Sequence, residues 1–222
     1  MRWKAVAFDY DGTLASEGRI APATLAALER LRASGRRLVL LTGRQLDDLR
    51  RVCPRLDIFD RVVAENGALL HSPADGRETL LADPPPPILV EALRARGVRP
   101  LGVGRVIVAT DDGQRTTVAA VIDELGLALR SIGNKGALMV LPAGIDKRSG
   151  LAAALEELGI EANDVVGVGD AENDSAFLAR CGRSHAVADA LPELRRRVDR
   201  VAAAPDGQGI VEIVEELLRM DR

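Results

Sequence analysis

The stretch AVAFDYDGTLAS, residues 5–16, places an apolar run directly before two acids that stand two positions apart, Asp9 and Asp11. The run predicts a short buried strand that ends on these carboxylates. Ionised carboxylates close together repel one another, and each loses hydration as it approaches a protein core. A metal ion, a basic side chain or a chemical task that needs both groups must therefore accompany the pair.

Apolar runs alternate with helical patterns over most of the chain. The patterns predict strands at 4–10, 37–44, 61–70, 164–169, 184–188 and 200–203, and helices at 22–34, 45–51, 147–158, 172–180 and 209–220. This alternation is typical of an α/β protein with a doubly wound, Rossmann-like parallel sheet.

A different rhythm interrupts the alternation after four consecutive prolines at 84–87, a stiff segment that cannot extend a sheet ladder. The patterns that follow predict helices at 88–96 and 115–125 and strands at 103–110, 127–132 and 137–141. We therefore predict a core formed by residues 1–83 and 144–222, with a small α+β module inserted at 84–143. Bases outnumber acids in this module, which suggests an anionic ligand.

The bulk composition excludes several classes of protein. With 222 residues and 47% hydrophobic content, the chain is long enough for a substantial core and a smaller second one. A net charge of −3 argues against a nucleic-acid binder, and no apolar run approaches the roughly 20 residues of a membrane span. The early acids argue against a signal peptide, so we expect a cytoplasmic protein. Monomer and dimer both remain open.

Polar residues collect at the predicted strand ends, where open α/β sheets bind their ligands. They are Asp9, Asp11, Thr42, Gly43, Lys147, Asp170, Asn173 and Asp174. Four carboxylates beside one lysine repel one another, and a hard divalent cation such as Mg²⁺ relieves that repulsion through oxygen ligands. The sequence therefore predicts a metal site in this crevice.

The same residue types suit phosphoryl transfer. A threonine hydroxyl, the backbone N–H groups of residues 42–44 and the point charge of Lys147 are suitable partners for a phosphate. An aspartate can attack phosphorus, while a second acid two positions away protonates the leaving oxygen and later takes a proton from water. Asp9 and Asp11 thus have different tasks, which explains the pair.

Four stretches match, in order and separation, the motifs of one enzyme superfamily: DYDGT at 9–13, LTGR at 41–44, Lys147 and GDAENDSAF at 169–177. They resemble the haloacid dehalogenase (HAD) superfamily of phosphohydrolases. ENGA at 65–68 and LPAGIDKRSGL at 141–151 look like its Cof-type subgroup, which carries a cap domain between the second and third motifs. The inserted module resembles the small C2-type caps of archaeal-type phosphoglycolate phosphatases and sucrose-phosphate phosphatases.

The resemblance implies a Mg²⁺-dependent phosphatase. It makes Asp9 the nucleophile and a Mg²⁺ ligand, and Asp11 the general acid/base with its main-chain carbonyl as a second ligand. It makes Asp170 a direct ligand, with Asp174 supporting the metal. The expected substrate is a small phosphorylated metabolite, a sugar phosphate or a phosphoglycolate-like compound.

The resemblance also implies a phosphate-binding group formed by Thr42, Gly43, Lys147 and Asn173. A cap of this kind closes over the site and contacts the rest of the substrate. The polar stretch between the last two predicted strands of the module supplies the candidate residues for that contact, which are Arg130, Asn134 and Lys135.

Two alternatives to a phosphatase stay open. A phosphomutase would return the phosphoryl group to its substrate instead of releasing it to water. A receiver-like or metabolite-binding protein would hold the same groups without turnover, although receiver domains have no module inserted near 84–143.

Overall fold

The computed structural model describes residues 2–220, and its regular elements follow the predicted alternation. The strands are β1 Ala5–Asp9, β2 Ala15–Ser16, β3 Arg19–Ile20, β4 Arg37–Leu41, β5 Arg61–Ala64, β6 Leu69–His71, β7 Glu78–Leu80, β8 Gly102–Val103, β9 Val108–Asp111, β10 Leu129–Asn134, β11 Ala137–Pro142, β12 Val165–Gly169, β13 Arg183–Ala186 and β14 Arg200–Val201. The helices are α1 Pro22–Ala33, α2 Leu46–Val52, α3 Pro87–Ala95, α4 Arg115–Glu124, α5 Lys147–Leu158, α6 Ser175–Leu178, α7 Pro192–Arg195 and α8 Asp206–Arg219.

The large sheet has the strand order β14-β13-β12-β1-β4-β5-β6-β7. Its strands run parallel from β14 to β5, and β6 and β7 add an antiparallel edge. All five residues of β1 are buried, and β1 lies between β4 and β12, where the strand order switches. The predicted doubly wound α/β core is confirmed, and its ligand-binding switch point lies at the end of β1.

A separate antiparallel sheet, in the order β10-β11-β9-β8, forms the cap. Helices α3 and α4 cover it through an apolar cluster of its own, which includes Leu89, Leu93, Val118 and Leu138. The predicted small α+β unit is therefore confirmed as a separate layer, while its bounds at 84 and 143 stay a prediction.

Two predicted strands are wrong in detail, because each contains a reversal of the chain. The run 61–70 divides into β5 and β6 around a tight turn at Glu65–Gly67, and the run 103–110 divides into β8 and β9 around residues 104–107. All three residues of the first turn have positive φ. The predicted helix 172–180 is also shorter, since a 3₁₀ turn at Glu172–Asp174 precedes α6.

The cap rests on the core through a third apolar cluster. Its buried members are Ala68, Val106, Ile107, Met139 and Leu141. Ala68 belongs to the core and the others to the cap, so this cluster is the apolar contact between the two layers. No helix among residues 2–220 is long and apolar enough to cross a membrane.

Candidate active site

The site begins where three neighbouring strands end. Asp9 closes β1 opposite Leu41, the last residue of β4, so that Thr42 follows directly beside it. On the other side of β1, Phe8 pairs with Val168 of β12, and Asp170 follows that strand. The register of a parallel sheet thus brings the first, second and fourth predicted motifs to one edge.

The chain can turn after β1 because residue 12 is a glycine. Gly12 has a φ of +81°, in the left-handed region, and a Cβ there would lie 2.4 Å from Oδ2 of Asp170. Any other residue would displace the carboxylate. Thr13, next in the chain, donates its hydroxyl hydrogen to Oδ1 of Asp170 at 3.2 Å.

Three buried carboxylates form the centre of the site. Oxygens of Asp9, Asp170 and Asp174 all lie within 4.8 Å of one another. Lys147 donates from Nζ to Asp9 Oδ1 at 2.5 Å and to Asp174 Oδ1 at 2.6 Å. One ammonium group therefore compensates part of the negative charge of the cluster.

The cluster shifts the pKa values of its own members. Burial and the charge of Asp174 raise the pKa of Asp9 well above its usual range, and burial likewise raises that of Asp170. Burial opposes the charged form of Lys147, but Asp174 and Asp9 together raise the pKa of this ammonium group. Lys147 is therefore the cation of the cluster, and its single positive charge does not neutralise the three carboxylates.

Lys147 occupies a position that an isolated helix disfavours for a cation, the first residue of α5. Asp146 caps this helix end by accepting from the backbone N–H of Ser149 at 2.9 Å, and the Ser149 hydroxyl completes a capping box. The buried Lys147 ammonium depends on the Asp9 and Asp174 carboxylates for its stability, which is typical of a functional group rather than a helix-stabilising one.

Both carboxylate oxygens of Asp174 accept hydrogen bonds from the protein. Its Oδ2 accepts from the backbone N–H groups of Asp170 at 2.9 Å and Ala171 at 3.0 Å, while Lys147 binds its other oxygen. This pattern fits a residue that positions the loop after β12, in line with the expected supporting role.

Thr42 and Gly43 are arranged to donate hydrogen bonds. The Thr42 hydroxyl oxygen accepts from the backbone N–H of Arg44 at 3.0 Å, which leaves its hydrogen free for a ligand. The backbone N–H of Thr42 donates to the carbonyl of Val63. Of the backbone N–H groups of residues 42–44, only that of Gly43 has no partner within residues 2–220. One backbone donor is therefore available here instead of the three expected.

Asp11 is held apart from the carboxylate cluster by a basic fork. Arg44 donates from Nε and Nη2 to its two oxygens at 2.7 and 2.8 Å, and from Nη1 to Asp48 at 2.6 Å. Such parallel bonds fix the plane of a carboxylate. The structure thus places Asp11 at the rim, where its side chain is partly exposed.

Asn173 faces the turn between β5 and β6. Its Nδ2 donates to Oδ1 of Asn66 at 3.0 Å, and its own Oδ1 is buried and has no partner among residues 2–220. A buried acceptor that no protein donor satisfies suggests that a ligand group completes it. Asn66, which lies in the ENGA stretch, thereby contacts the site.

The cap sends one cation into the site. The Lys135 ammonium, at the tip of the β10–β11 hairpin, forms an ion pair with Oδ2 of Asp170. Arg130, a second candidate, binds the Ile145 carbonyl and Asp146 instead, because that carboxylate at the start of α5 lies nearer. The Oδ1 of Asn134 is buried and has no hydrogen-bond partner among residues 2–220.

The three buried carboxylates fit a divalent cation. They supply hard oxygen atoms at a mutual distance that one ion spans, and Lys135 already places a positive charge on one of them. Mg²⁺ accepts such oxygen ligands and keeps several waters. The donor set contains no thiolate or imidazole, which favours Mg²⁺ over softer metals.

Two residues of the site had no assigned role in the sequence-based prediction. Arg44 was noted at the end of the second strand, but nothing in its spacing reveals that it binds Asp11. Glu65 was seen only as part of the ENGA stretch. The structure alone marks Glu65, through its burial and through the positive φ values of Glu65 and Asn66.

Comparison with known proteins agrees with this arrangement. The chain matches the haloacid dehalogenase-like hydrolase family over residues 6–93 and 105–214. It is 30% identical to a phosphoglycolate phosphatase of Aeropyrum pernix, over 97% of this chain and 93% of the relative.

Solved structures share the fold over almost the whole length. A haloacid dehalogenase-like hydrolase from Bacteroides thetaiotaomicron superposes with a TM-score of 0.84 at 20% identity, covering 97% of this chain and 99% of that one. A HAD subclass IIB sugar phosphatase gives 0.79 at 20% identity, covering 96% and 98%. With its fold, its buried carboxylates and its sequence match in agreement, this chain belongs to the haloacid dehalogenase-like hydrolases and is an enzyme of that family.

Proposed function

We propose that the protein is a Mg²⁺-dependent phosphatase that hydrolyses small phosphorylated metabolites through an aspartyl-phosphate intermediate. The observation that carries the proposal is the buried group of Asp9, Asp170 and Asp174 around Lys147. It lies at the switch point of the parallel sheet, in a chain of a hydrolase family. A cytoplasmic location belongs to the same proposal.

The phosphate group would be bound by donors on the core. The Thr42 hydroxyl has a free hydrogen, the Gly43 N–H has no partner among the described residues, and the Lys147 ammonium stands beside Asp9. Asn173 is assigned to the same group because its Nδ2, which donates one hydrogen to Asn66, has a second hydrogen to donate. These groups would orient phosphorus toward the Asp9 carboxylate.

Asp9 would then act as the nucleophile. One carboxylate oxygen attacks phosphorus, and the bond to the ester oxygen breaks as that oxygen takes a proton from Asp11. In the second half, Asp11 takes a proton from water, and this water attacks the aspartyl-phosphate at phosphorus. Inorganic phosphate leaves and the Asp9 carboxylate is restored.

Mg²⁺ would be held by Asp9, Asp170 and the main-chain carbonyl of Asp11, with Asp174 behind them. When bound, it would neutralise charge on the phosphate and on the surrounding carboxylates. Lys147 complements it on the protein side by holding Asp9 in place through the 2.5 Å contact.

The cap favours a small substrate with a second anionic group. Lys135 brings a flexible ammonium to the carboxylates, and once a divalent cation satisfies Asp170, this ammonium is available to a carboxylate of the substrate. Relatives that match along nearly the whole chain are phosphoglycolate phosphatases, whose substrate has such a carboxylate. Sugar phosphates form the second substrate class.

The test is phosphate release with Mg²⁺ from phosphoglycolate, a set of sugar phosphates and an activated aryl phosphate. We expect release from at least one metabolite, a preference for phosphoglycolate, and loss of release in Asp9→Asn. Isomerisation without release would instead indicate a mutase. Absence of release from every compound, the aryl phosphate included, would refute the phosphatase.

A further inference from the structure

The turn Glu65–Gly67, between β5 and β6, contacts three segments of the site, which are the loop after β4, the loop after β12 and the start of α5, and it also contacts the cap. Glu65 is 1% exposed, although it is an acid in a turn. Glu65 and Asn66 have φ values of +51° and +55°, which L-residues with side chains rarely adopt. Two strained residues in succession persist only where the surroundings require them, which points to a function for this turn.

The Glu65 carboxylate reaches out of the core into the cap. Its oxygens accept from the backbone N–H groups of Arg105 at 2.9 Å, Val106 at 2.8 Å and Ile107 at 2.9 Å. These three successive amides belong to the loop between β8 and β9. They form a concave group of donors of the kind that binds anions, and the core supplies the anion.

The loop is built for this contact. A Cβ at Gly104 would lie 2.7 Å from Oε1 of Glu65, so the glycine leaves space for the carboxylate. Val106 and Ile107 are both buried in the apolar cluster between cap and core, beside Met139. The hydrogen bonds from the cap amides to Glu65 and the apolar contact between cap and core therefore form together when the cap lies on the core.

The other side of the same turn supports the site. The backbone N–H groups of Glu65 and Asn66 donate to the carbonyls of Arg44 and Thr42, both at 2.9 Å. The Asn66 side chain accepts from Asn173. The phosphate-binding loop and the loop after β12 are thus both bonded to this turn.

Gly67 completes the connection. A Cβ on it would lie 1.9 Å from the Asp146 carbonyl oxygen, so the turn packs directly against the start of α5, where Lys147 lies. A displacement of this turn would move the backbone that positions the lysine.

We propose that Glu65 is a positioning residue that latches the closed cap, and that the Glu65–Gly67 turn couples closure of the cap to the geometry of the phosphate site. Binding of the cap amides by Glu65 holds the turn in its strained conformation. The turn in turn fixes the loops that carry Thr42, Asn173 and Lys147.

The test uses Met139 as a reporter of cap closure. Met139 is 3% exposed and its Sδ would lie 3.0 Å from a Cβ on Gly43, so it is buried against the core. Met220, 45% exposed, is an internal reference. Dilute hydrogen peroxide oxidises accessible methionines, and mass spectrometry gives the rate at each one.

In Glu65→Gln, one oxygen becomes an amide that cannot accept from the cap, and we expect Met139 to be oxidised about tenfold faster, with Met220 unchanged. Gly104→Ala, which displaces the carboxylate from the other side, should have the same effect. Glu78→Gln is the matched control and should leave the oxidation of Met139 unchanged, because among residues 2–220 the Glu78 carboxylate pairs with the side chains of Arg105 and Arg50 and with no backbone amide of the cap. Unchanged oxidation of Met139 in both latch variants would overturn the proposal.

A kinetic measurement tests the coupling and rests on the proposed phosphatase function. We expect Glu65→Gln to lower kcat/KM for the metabolite about tenfold and that for an activated aryl phosphate less than about twofold, since the latter depends less on the cap. Equal losses for both substrates would refute the coupling. If the enzyme releases no phosphate at all, the proposed function fails, while the oxidation experiment still decides the latch.

Discussion

The buried His185 predicts how the protein responds to acid. It lies in β13 and is fully buried, and neither ring nitrogen has a hydrogen-bond partner in the described part of the chain, residues 2–220. Burial lowers its pKa from 6.5 to about 4, and the positive charges of Arg183 and Arg200 add to this effect. Because the folded pKa is depressed, the unfolded chain binds the proton first as the pH falls. Stability from this residue is complete above pH 6.5 and is lost as the pH falls toward 4.

The magnitude follows from the two pKa values. The gap between 6.5 and about 4 corresponds to a full loss of about 3 kcal/mol, of which about 2 kcal/mol is lost by pH 5. His185→Leu keeps a similar side-chain volume and removes the titrating group together with two unpaired buried nitrogens. We expect the variant to be at least as stable as the wild type at pH 7.5.

The assay is urea unfolding at pH 7.5 and pH 5.0, in EDTA so that metal binding does not contribute. Between these two values the wild type should lose about 2 kcal/mol more of its free energy of unfolding than His185→Leu. Other acids titrate in both proteins and cancel in the difference. An equal loss in the two proteins would show that burial does not depress the His185 pKa.

Three further substitutions test the site. Lys135→Ala should raise KM for phosphoglycolate about tenfold, because one ammonium–carboxylate pair is lost. The KM for a sugar phosphate that has no carboxylate should rise less than about twofold, and steady-state kinetics on both substrates measures the difference. Arg44→Lys should lower kcat at least about tenfold, since an ammonium cannot reproduce the two parallel bonds to Asp11, and an unchanged kcat would contradict this role. Gly67→Ala should lower the free energy of unfolding by about 3 kcal/mol, and Gly35→Ala, also at positive φ but with open space around it, by about 1 kcal/mol. Similar losses of the free energy of unfolding in both glycine variants would show that the close packing of Gly67 against Asp146 does not determine the effect.

The placement of the central groups was predictable from the sequence because sheet geometry determines it. Asp9, Thr42 and Asp170 each follow an apolar run, and parallel strands align their carboxyl ends at one edge. The pattern of runs therefore predicted that these side chains meet. Lys147 was predicted from its position at a helix start, and its contact with Asp9 confirms the proximity but not the role.

The contacts across long sequence separations were not predictable in the same way. Whether Arg130 or Lys135 enters the site depends on which carboxylate lies nearer when the cap is folded, and Asp146 retains Arg130. The Glu65 latch likewise pairs a side chain with backbone amides 40 or more positions away, and backbone donors leave no trace in residue identity. Tertiary structure alone reveals such pairs.

The proposed mechanism requires that Asp9 becomes covalently phosphorylated during turnover. The most direct measurement is rapid acid quenching of the enzyme with Mg²⁺ and a radiolabelled phosphate ester that it hydrolyses, followed by peptide mapping. We expect a hydroxylamine-sensitive label on the peptide that contains Asp9, and no label in Asp9→Asn. Hydrolysis that continues in Asp9→Asn, or a label on another residue, would contradict it.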